Sequence, residues 1–476
     1  MQNKKIIKDQ IKKVIGRENL EFVNHAKNYM SAEFFTKALS FISVPIFTRL
    51  LTPDEYGILA IFSSIISIFT VILSLRIAGA NARYYYENNN KFNDFLGTNL
   101  IFIVIFNIIS LYLMYIYRTG IAEYFNIKVD VFIIAVIVAS LNVPIGIYLS
   151  YLQFSKQSKK YSEISVIKSI IILLLSISLV YLLKENRYYG KIYSLLTVTV
   201  VFSSFTIYKS INIAHFKFKI KYIKYALVFG IPLIPHSLSR FILNFFDRII
   251  INQVTGPNDA GLYSFAYNVG MVMNVVVMAT TKAWTPIFYE YMKKGSFDKI
   301  KKLSYEYSNY IYYAAIILIL FSKEIVIILA DKSYHIALNL VPIIIISYIF
   351  MFYYILYSGY SFYRKKTALI SLATLLSGVI NIILNYWLIP QFGYIAAAYT
   401  TAFSYLVLFT FHFINVKFVL KEKELILFRK IVINFVWVVI SVIALYFINI
   451  YLSGLIIPVV VKLVIIVLTG WKFFVN

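Results

Sequence analysis

Cysteine is absent from the 476 residues, which excludes disulfide frameworks, thiolate metal sites and iron–sulfur clusters. Charge is scarce at 14% of residues, and acidic charge scarcer still, with 21 Asp and Glu against 46 Lys and Arg. No G-x-x-x-x-G-K-[ST] loop occurs: Gly190-Lys191 is followed by Ile192 and lacks the upstream glycine, so ATP hydrolysis on this chain is not expected. The five histidines, His25, His215, His236, His335 and His412, are scattered without an H-E-x-x-H pair or cysteine companions. Neither a metal nor any other cofactor is expected. The first thirty residues are basic but have no apolar h-region and no A-x-A site, so no cleaved signal peptide is expected.

What the chain has instead is apolar bulk, 60% hydrophobic residues and a mean hydropathy of +0.76. That composition describes a chain that lives in lipid. A helix needs about 20 apolar residues to cross the hydrocarbon, and fourteen crossings would use roughly 280. Apolar spans run over residues 31–51, 56–85, 96–117, 129–152, 164–183, 192–208, 225–254, 260–288, 307–329, 336–358, 367–388, 394–415, 431–451 and 455–471. The expected fold class is therefore an all-α polytopic membrane protein of about fourteen transmembrane helices. A formal net charge of +25 would suggest nucleic acid as the partner of a soluble protein. Here the cations sit in short loops between apolar runs, where anionic lipid headgroups are the counter-charge, and no nucleic acid is expected. One alternate set of loops carries Lys and Arg over the other at a ratio near five to one, which puts both termini in the cytoplasm of a multi-pass protein of the inner (plasma) membrane.

Comparing the chain with itself at a fixed displacement reveals a duplication. Pro53-Asp-Glu-Tyr-Gly57 aligns with Pro257-Asn-Asp-Ala-Gly261 at 204 residues, Tyr85-Tyr-Glu87 with Phe288-Tyr-Glu290 at 203, and Gly190 with Gly393 at 203. Six helices is an even number, so both copies enter the membrane in the same direction and form a parallel repeat, with substrate between the halves and alternating access by rocking. This divides the chain into a basic N-terminal segment (1–30), an N-lobe (31–210), a C-lobe (211–416), and a linker with two further helices (417–476).

A cation in the middle of a span costs on the order of 2.5–3.5 kcal/mol, so one that persists usually faces a cavity or a partner. Lys37 in span one and Arg240 in span seven are equivalent under the 203-residue displacement. Glu33, one turn before Lys37, has His236 as its counterpart, and both are expected polar neighbours of the cations. Arg76 and Lys282 are near-equivalents in spans two and eight, and Arg83 follows near the end of span two. Together these form an expected anion site for a multiply charged group such as a diphosphate, which Arg grips bidentately and Lys as a point charge. Snorkelling or structural ion pairing is the alternative for each, and for Arg83 the stronger one. Asp247 is read either as the carrier of a coupling proton or cation or as the partner of an arginine. Lys168, Lys323, Glu324 and Lys462 lack symmetric partners and are assigned structural roles. Pro45, Pro232 and Pro235 remove helix hydrogen bonds and are the expected gating kinks.

The segment Ser40-Phe-Ile-Ser-Val-Pro45-Ile-Phe-Thr-Arg49-Leu-Leu-Thr-Pro53-Asp-Glu-Tyr-Gly57 resembles the polysaccharide-biosynthesis (O-antigen) flippase family. Arg83-Tyr-Tyr-Tyr-Glu87 and Gly261-Leu-Tyr-Ser-Phe-Ala266 extend the likeness across spans one to twelve. The resemblance implies the fold of the multidrug/oligosaccharidyl-lipid/polysaccharide exporter superfamily, two six-helix lobes around a central cavity. It implies a non-enzymatic flippase for undecaprenyl-diphosphate-linked oligosaccharide repeat units in O-antigen, capsule or related glycan assembly. Its partners would be that substrate, membrane lipids and other membrane proteins of polysaccharide assembly. The competing functions are an ion-coupled multidrug exporter of the same superfamily, a lipid II flippase and, from a different class, a polytopic glycan polymerase or ligase. Acidic cavity residues would mark the exporter, and here cations outnumber carboxylates within the spans.

Overall fold

The computed structural model describes residues 17–366, 368–423, 425–452 and 456–474, with the side chains of residues 17–23, 26, 236 and 240 outside that description. Most of the basic N-terminal segment thus lies outside the described residues. Among the described residues all regular structure is helical. Twelve helices among the described residues are long and apolar enough to cross a membrane, and two broken pairs bring the number to fourteen. The expectation of an all-α polytopic membrane protein is met.

The chain separates into two compact units, one holding the residues up to Leu50 and from Phe62 to Ser237, the other holding Leu51–Ile61 and the residues from Leu238 onward. In chain order the helices begin with α1 (Arg17–Leu50), α2 (Pro53–Ser74), α3 (Ile77–Glu87), α4 (Phe92–Ile116) and α5 (Arg118–Tyr124). Next come α6 (Val129–Phe154), α7 (Ser158–Leu182), α8 (Tyr188–Ile211), α9 (Ile220–Gly230) and α10 (Leu233–Phe241). After a π-turn at Ile242–Phe246 follow α11 (Asp247–Val254), α12 (Pro257–Lys293), α13 (Phe297–Leu320) and α14 (Ser322–Leu329). The chain ends with α15 (Val341–Tyr363), α16 (Ala368–Phe392), α17 (Ile395–Ile414), α18 (Phe428–Tyr451) and α19 (Ile456–Phe474).

Span two is not the single helix its hydropathy suggests. It breaks at Leu75–Arg76, where both residues are left-handed, with φ of 45° and 54°. Neither is glycine, so each carries a conformational cost of roughly 1 kcal/mol or more. The break frees the Leu75 carbonyl from the helix ladder. Gly230, at the end of α9, lies so close that a Cβ there would come within 2.2 Å of that oxygen. Span nine is likewise bent by 58° between α13 and α14, and span seven is interrupted at Ile231–Pro232.

In the first unit the Tyr-rich end of α3 is clasped by α4 and α9. Tyr84 stacks on Phe95 with ring centroids 3.9 Å apart, and Tyr222 and Tyr225 pack edge-on against the pair. The second unit is built around tyrosine. Tyr263, Tyr267, Tyr312, Tyr334, Tyr348, Tyr353, Tyr357 and Tyr360 are fully enclosed. Several of their hydroxyls donate to backbone carbonyls: Tyr312 to Ile431 at 3.2 Å, Tyr357 to Ile426 at 3.3 Å and Tyr360 to Lys423 at 2.8 Å. Tyrosine here is therefore core material that pins the segment leading into α18, in addition to whatever it does at interfaces.

Candidate functional site

The duplicated Pro-x-x-x-Gly motif has a clear local cause. Thr52 caps α2, its hydroxyl accepting from the Glu55 N–H at 3.3 Å while Glu55 accepts from the Thr52 N–H at 3.2 Å, with Pro53 at the first helical position. The second copy opens α12 with Pro257 just inside the helix and Asp259 in its first turn, but its N-cap is Gly256, with φ of 95° and no side-chain cap. Within the second unit the two helix starts cross with reciprocal contacts. A Cβ on Gly57 would lie 1.8 Å from the Pro257 carbonyl oxygen, and one on Gly261 would lie 1.9 Å from the Pro53 oxygen. Only glycine permits this approach. Asn258 donates to Asp54 at 3.1 Å, Asn268 to the Tyr56 hydroxyl at 2.8 Å, and Tyr334 to the Leu51 carbonyl at 2.9 Å. The repeat in the sequence is thus the footprint of a self-complementary helix crossing.

The cations proposed from the sequence have diverse surroundings. Lys37, half-exposed on α1, pairs with Glu33 at 3.1 Å across one turn. Arg76 sits exposed in the left-handed break between α2 and α3. Arg83 donates to Glu87 at 2.7 Å and lies over the Phe229 ring at 5.5 Å. Glu87 also accepts from Tyr225 at 2.5 Å, and the hydrogen bonds from Tyr225 and Arg83 hold its carboxyl below the usual range. Lys282 is exposed on α12. Arg240 and His236 stand on α10, and their side chains lie outside the described residues. Pro45 lies within an unbroken α1, Pro232 in the interruption before α10, and Pro235 in the first turn of α10.

Asp247 and Arg248 are both buried in the second unit, and both lie against Tyr263. Asp247 accepts from the Tyr263 hydroxyl and, at 3.0 Å, from Thr401 on α17. Its other carboxyl oxygen has no hydrogen-bond partner among the described residues. The Arg248 guanidinium donates to the Asn244 carbonyl at 2.5 Å and lies 4.4 Å from the Tyr267 ring centre. Next to them Asn385 donates to Asn381 at 3.2 Å along α16 and accepts from Thr400. Asn381, Asn385, Thr400 and Thr401 were not singled out from the sequence. A signal was available in Asn381 and Asn385, two amides one turn apart in an apolar helix.

Comparison with known proteins bears on what these groups serve. The family model described as "Polysaccharide biosynthesis protein" matches residues 26–292, and the MatE model matches residues 232–387. A protein of the Lsg locus of Haemophilus influenzae is 25% identical over 362 residues, covering 74% of this chain and 88% of its own length. An uncharacterized membrane protein of the same organism is 26% identical over 291 residues, covering 60% and 69%. Among solved structures, the lipid II flippase MurJ in an inward closed conformation superposes with a TM-score of 0.74 at 15% identity, covering 94% of this chain and 98% of that one. An inward-facing multidrug resistance MATE family transporter of the MOP superfamily gives 0.65 at 15% identity, covering 86% and 95%. At such identities the likeness is one of fold, and the fold is that of membrane flippases and transporters. The first of the two family models matches more than half of the chain, which therefore belongs to the polysaccharide biosynthesis protein family.

Proposed function

We propose that this chain is a flippase that carries undecaprenyl-diphosphate-linked oligosaccharide repeat units from the cytoplasmic to the outer leaflet of the plasma membrane by alternating access, with both termini cytoplasmic. The observation that carries this reading is membership of a polysaccharide biosynthesis family in a chain with the flippase and transporter fold. The excess of cations over carboxylates in the spans supports a phosphorylated substrate. In this reading Lys37, Arg240, Arg76 and Lys282 attract the diphosphate, Arg83 guides it at the cytoplasmic edge, and the polyprenyl tail stays in lipid. Glu33 and His236 tune the cations, Asp247 takes the coupling proton or cation, and the helix hydrogen bonds missing at Pro45, Pro232 and Pro235 accommodate the rocking motion. Transport draws on an ion gradient or on the substrate's own gradient, and other polysaccharide-assembly membrane proteins receive the product.

The MatE match over residues 232–387 favours a second reading, an ion-coupled multidrug exporter. One experiment separates them: reconstitution of the wild type and of Lys37→Ala/Arg240→Ala in liposomes, with a fluorescent undecaprenyl-diphosphate glycan followed into the opposite leaflet with and without a proton gradient. Movement by the wild type, abolished in the double variant, is the expected outcome. No wild-type movement under any gradient sinks the flippase and favours the exporter. Movement untouched by the substitutions keeps the flippase and discards the two cations as its anion site.

A further inference from the structure

Lys168 has no counterpart in the other half of the sequence, and pairing patterns alone give it no role beyond structure. Its surroundings give it one. It stands ten residues into α7 and fourteen from its far end, about 15 Å and 21 Å along the axis, farther than a lysine can snorkel to either interface. It lies off the apolar stripe of Ile167, Ile171, Leu174 and Tyr181, whose exposures of 40–75% mark the lipid face of α7. Its Nζ donates to Asn142 Oδ1 on α6 at 3.3 Å, and no carboxylate lies within 4 Å among the described residues. An ammonium carries three donors, so two remain. One turn beyond Asn142 on α6 is Gly146, the exposed position in the middle of an otherwise covered helix, where an added Cβ would meet no atom within 4 Å. A half-buried cation and the amide that holds it thus stand beside an exposed, open position on α6.

Lys168 stands near the level of Lys37 on the neighbouring α1. His25 bonds Ser158 at 2.7 Å, Ser162 donates to the Asn28 carbonyl at 2.9 Å, and at the opposite ends Arg187 donates to the Leu50 carbonyl at 3.2 Å. These ties run α1 and α7 side by side in the same direction, displaced by 133 to 137 residues, which sets Lys37 within two turns of the Lys168 level. The charge of Lys37 is already met by Glu33, whereas that of Lys168 is met by an amide alone.

We propose that Lys168, oriented by Asn142, is an anion-binding residue of this protein and takes a phosphate oxygen of a polyprenyl-diphosphate-linked substrate at the open position beside Gly146. This rests on the flippase reading and moves the weight of the anion site from a symmetric pair toward the first half of the chain. A lysine kept only for structure lowers stability when its hydrogen bond to Asn142 is lost and leaves binding alone, whereas one kept for binding does the reverse, so the two roles predict opposite behaviour.

The test uses the full chain purified in detergent, with undecaprenyl diphosphate, phosphatidylglycerol and undecaprenol as probes in native mass spectrometry, and thermal unfolding alongside. The wild type is expected to prefer the diphosphate lipid to both others. Lys168→Met should weaken that binding about 10- to 100-fold without lowering Tm, while Lys168→Arg stays within about threefold of wild type. Lys168→Gln repeats the measurement should Lys168→Met fail to purify as a monodisperse protein. Unchanged diphosphate binding in Lys168→Met and Lys168→Gln overturns the assignment while leaving the flippase intact, as does a lowered Tm with binding retained. Equal, Lys168-dependent binding of phosphatidylglycerol overturns the substrate in favour of bulk lipid. A wild type that does not distinguish undecaprenyl diphosphate from undecaprenol overturns both readings.

Discussion

At the scale of the residue, the buried charges divide by how they are met. Lys462 on α19 is fully enclosed and donates to both oxygens of Glu324 on α14, at 2.6 and 2.8 Å, beside the bend that ends α13. Removing one member leaves the other charge buried and unpaired. Lys462→Met should therefore cost about 3–5 kcal/mol, read as a fall in Tm of the detergent-purified protein, and adding Glu324→Gln should recover most of it. Asp247 differs in being held by hydroxyls, from Tyr263 and Thr401. Asp247→Asn keeps the size and most of the hydrogen bonding but loses the charge. The expected result is an unchanged Tm together with loss of any stimulation of transport by an ion gradient, and gradient-stimulated transport in the variant would remove Asp247 from the coupling step.

At the scale of the element, the crossing of α2 and α12 is the place where a methyl group should matter most. Overpacking of an enclosed contact costs about 1–3 kcal/mol, and here the added carbon meets a backbone carbonyl that cannot swing aside. Gly57→Ala and Gly261→Ala should each lower Tm and the monodisperse fraction in size-exclusion chromatography, while Gly146→Ala, with open space at its Cβ, should leave both unchanged. The sequence exposed the motif as a repeat and not as a contact. A repeat is visible in one dimension, whereas reciprocal packing of its two copies depends on where the helices cross. The same limit hid the Leu75–Arg76 break: its residues are ordinary for a helix, and the left-handed pair is held by its surroundings, with Gly230 against the freed carbonyl.

At the scale of the whole molecule, the distribution of basic loops makes orientation measurable. The chain has no cysteine, so single introduced thiols report without background. Gln391→Cys, at the exposed end of α16 before the cation-poor turn, should react in intact cells with a membrane-impermeant maleimide, and Lys160→Cys, near the start of α7, should react only after the membrane is opened. The opposite pattern would reverse the direction of the proposed transport.

The amino-acid sequence by itself determined the number and position of the spans, because the thickness of the hydrocarbon sets the length of each apolar run whatever the helices touch. It also carried the family likeness and the repeated Pro-x-x-x-Gly motif. Ion pairs one turn apart, Lys37 with Glu33 and Arg83 with Glu87, were within its reach, since the helix alone brings such residues together. Only the tertiary structure decided what the remaining polar groups meet. Lys462 and Glu324 are 138 residues apart, Asp247 and Thr401 are 154 apart, and Lys168 finds Asn142 on the preceding helix. These pairings depend on how each helix is rotated and how far it is slid against its neighbour, quantities that an apolar run long enough to cross a membrane leaves open.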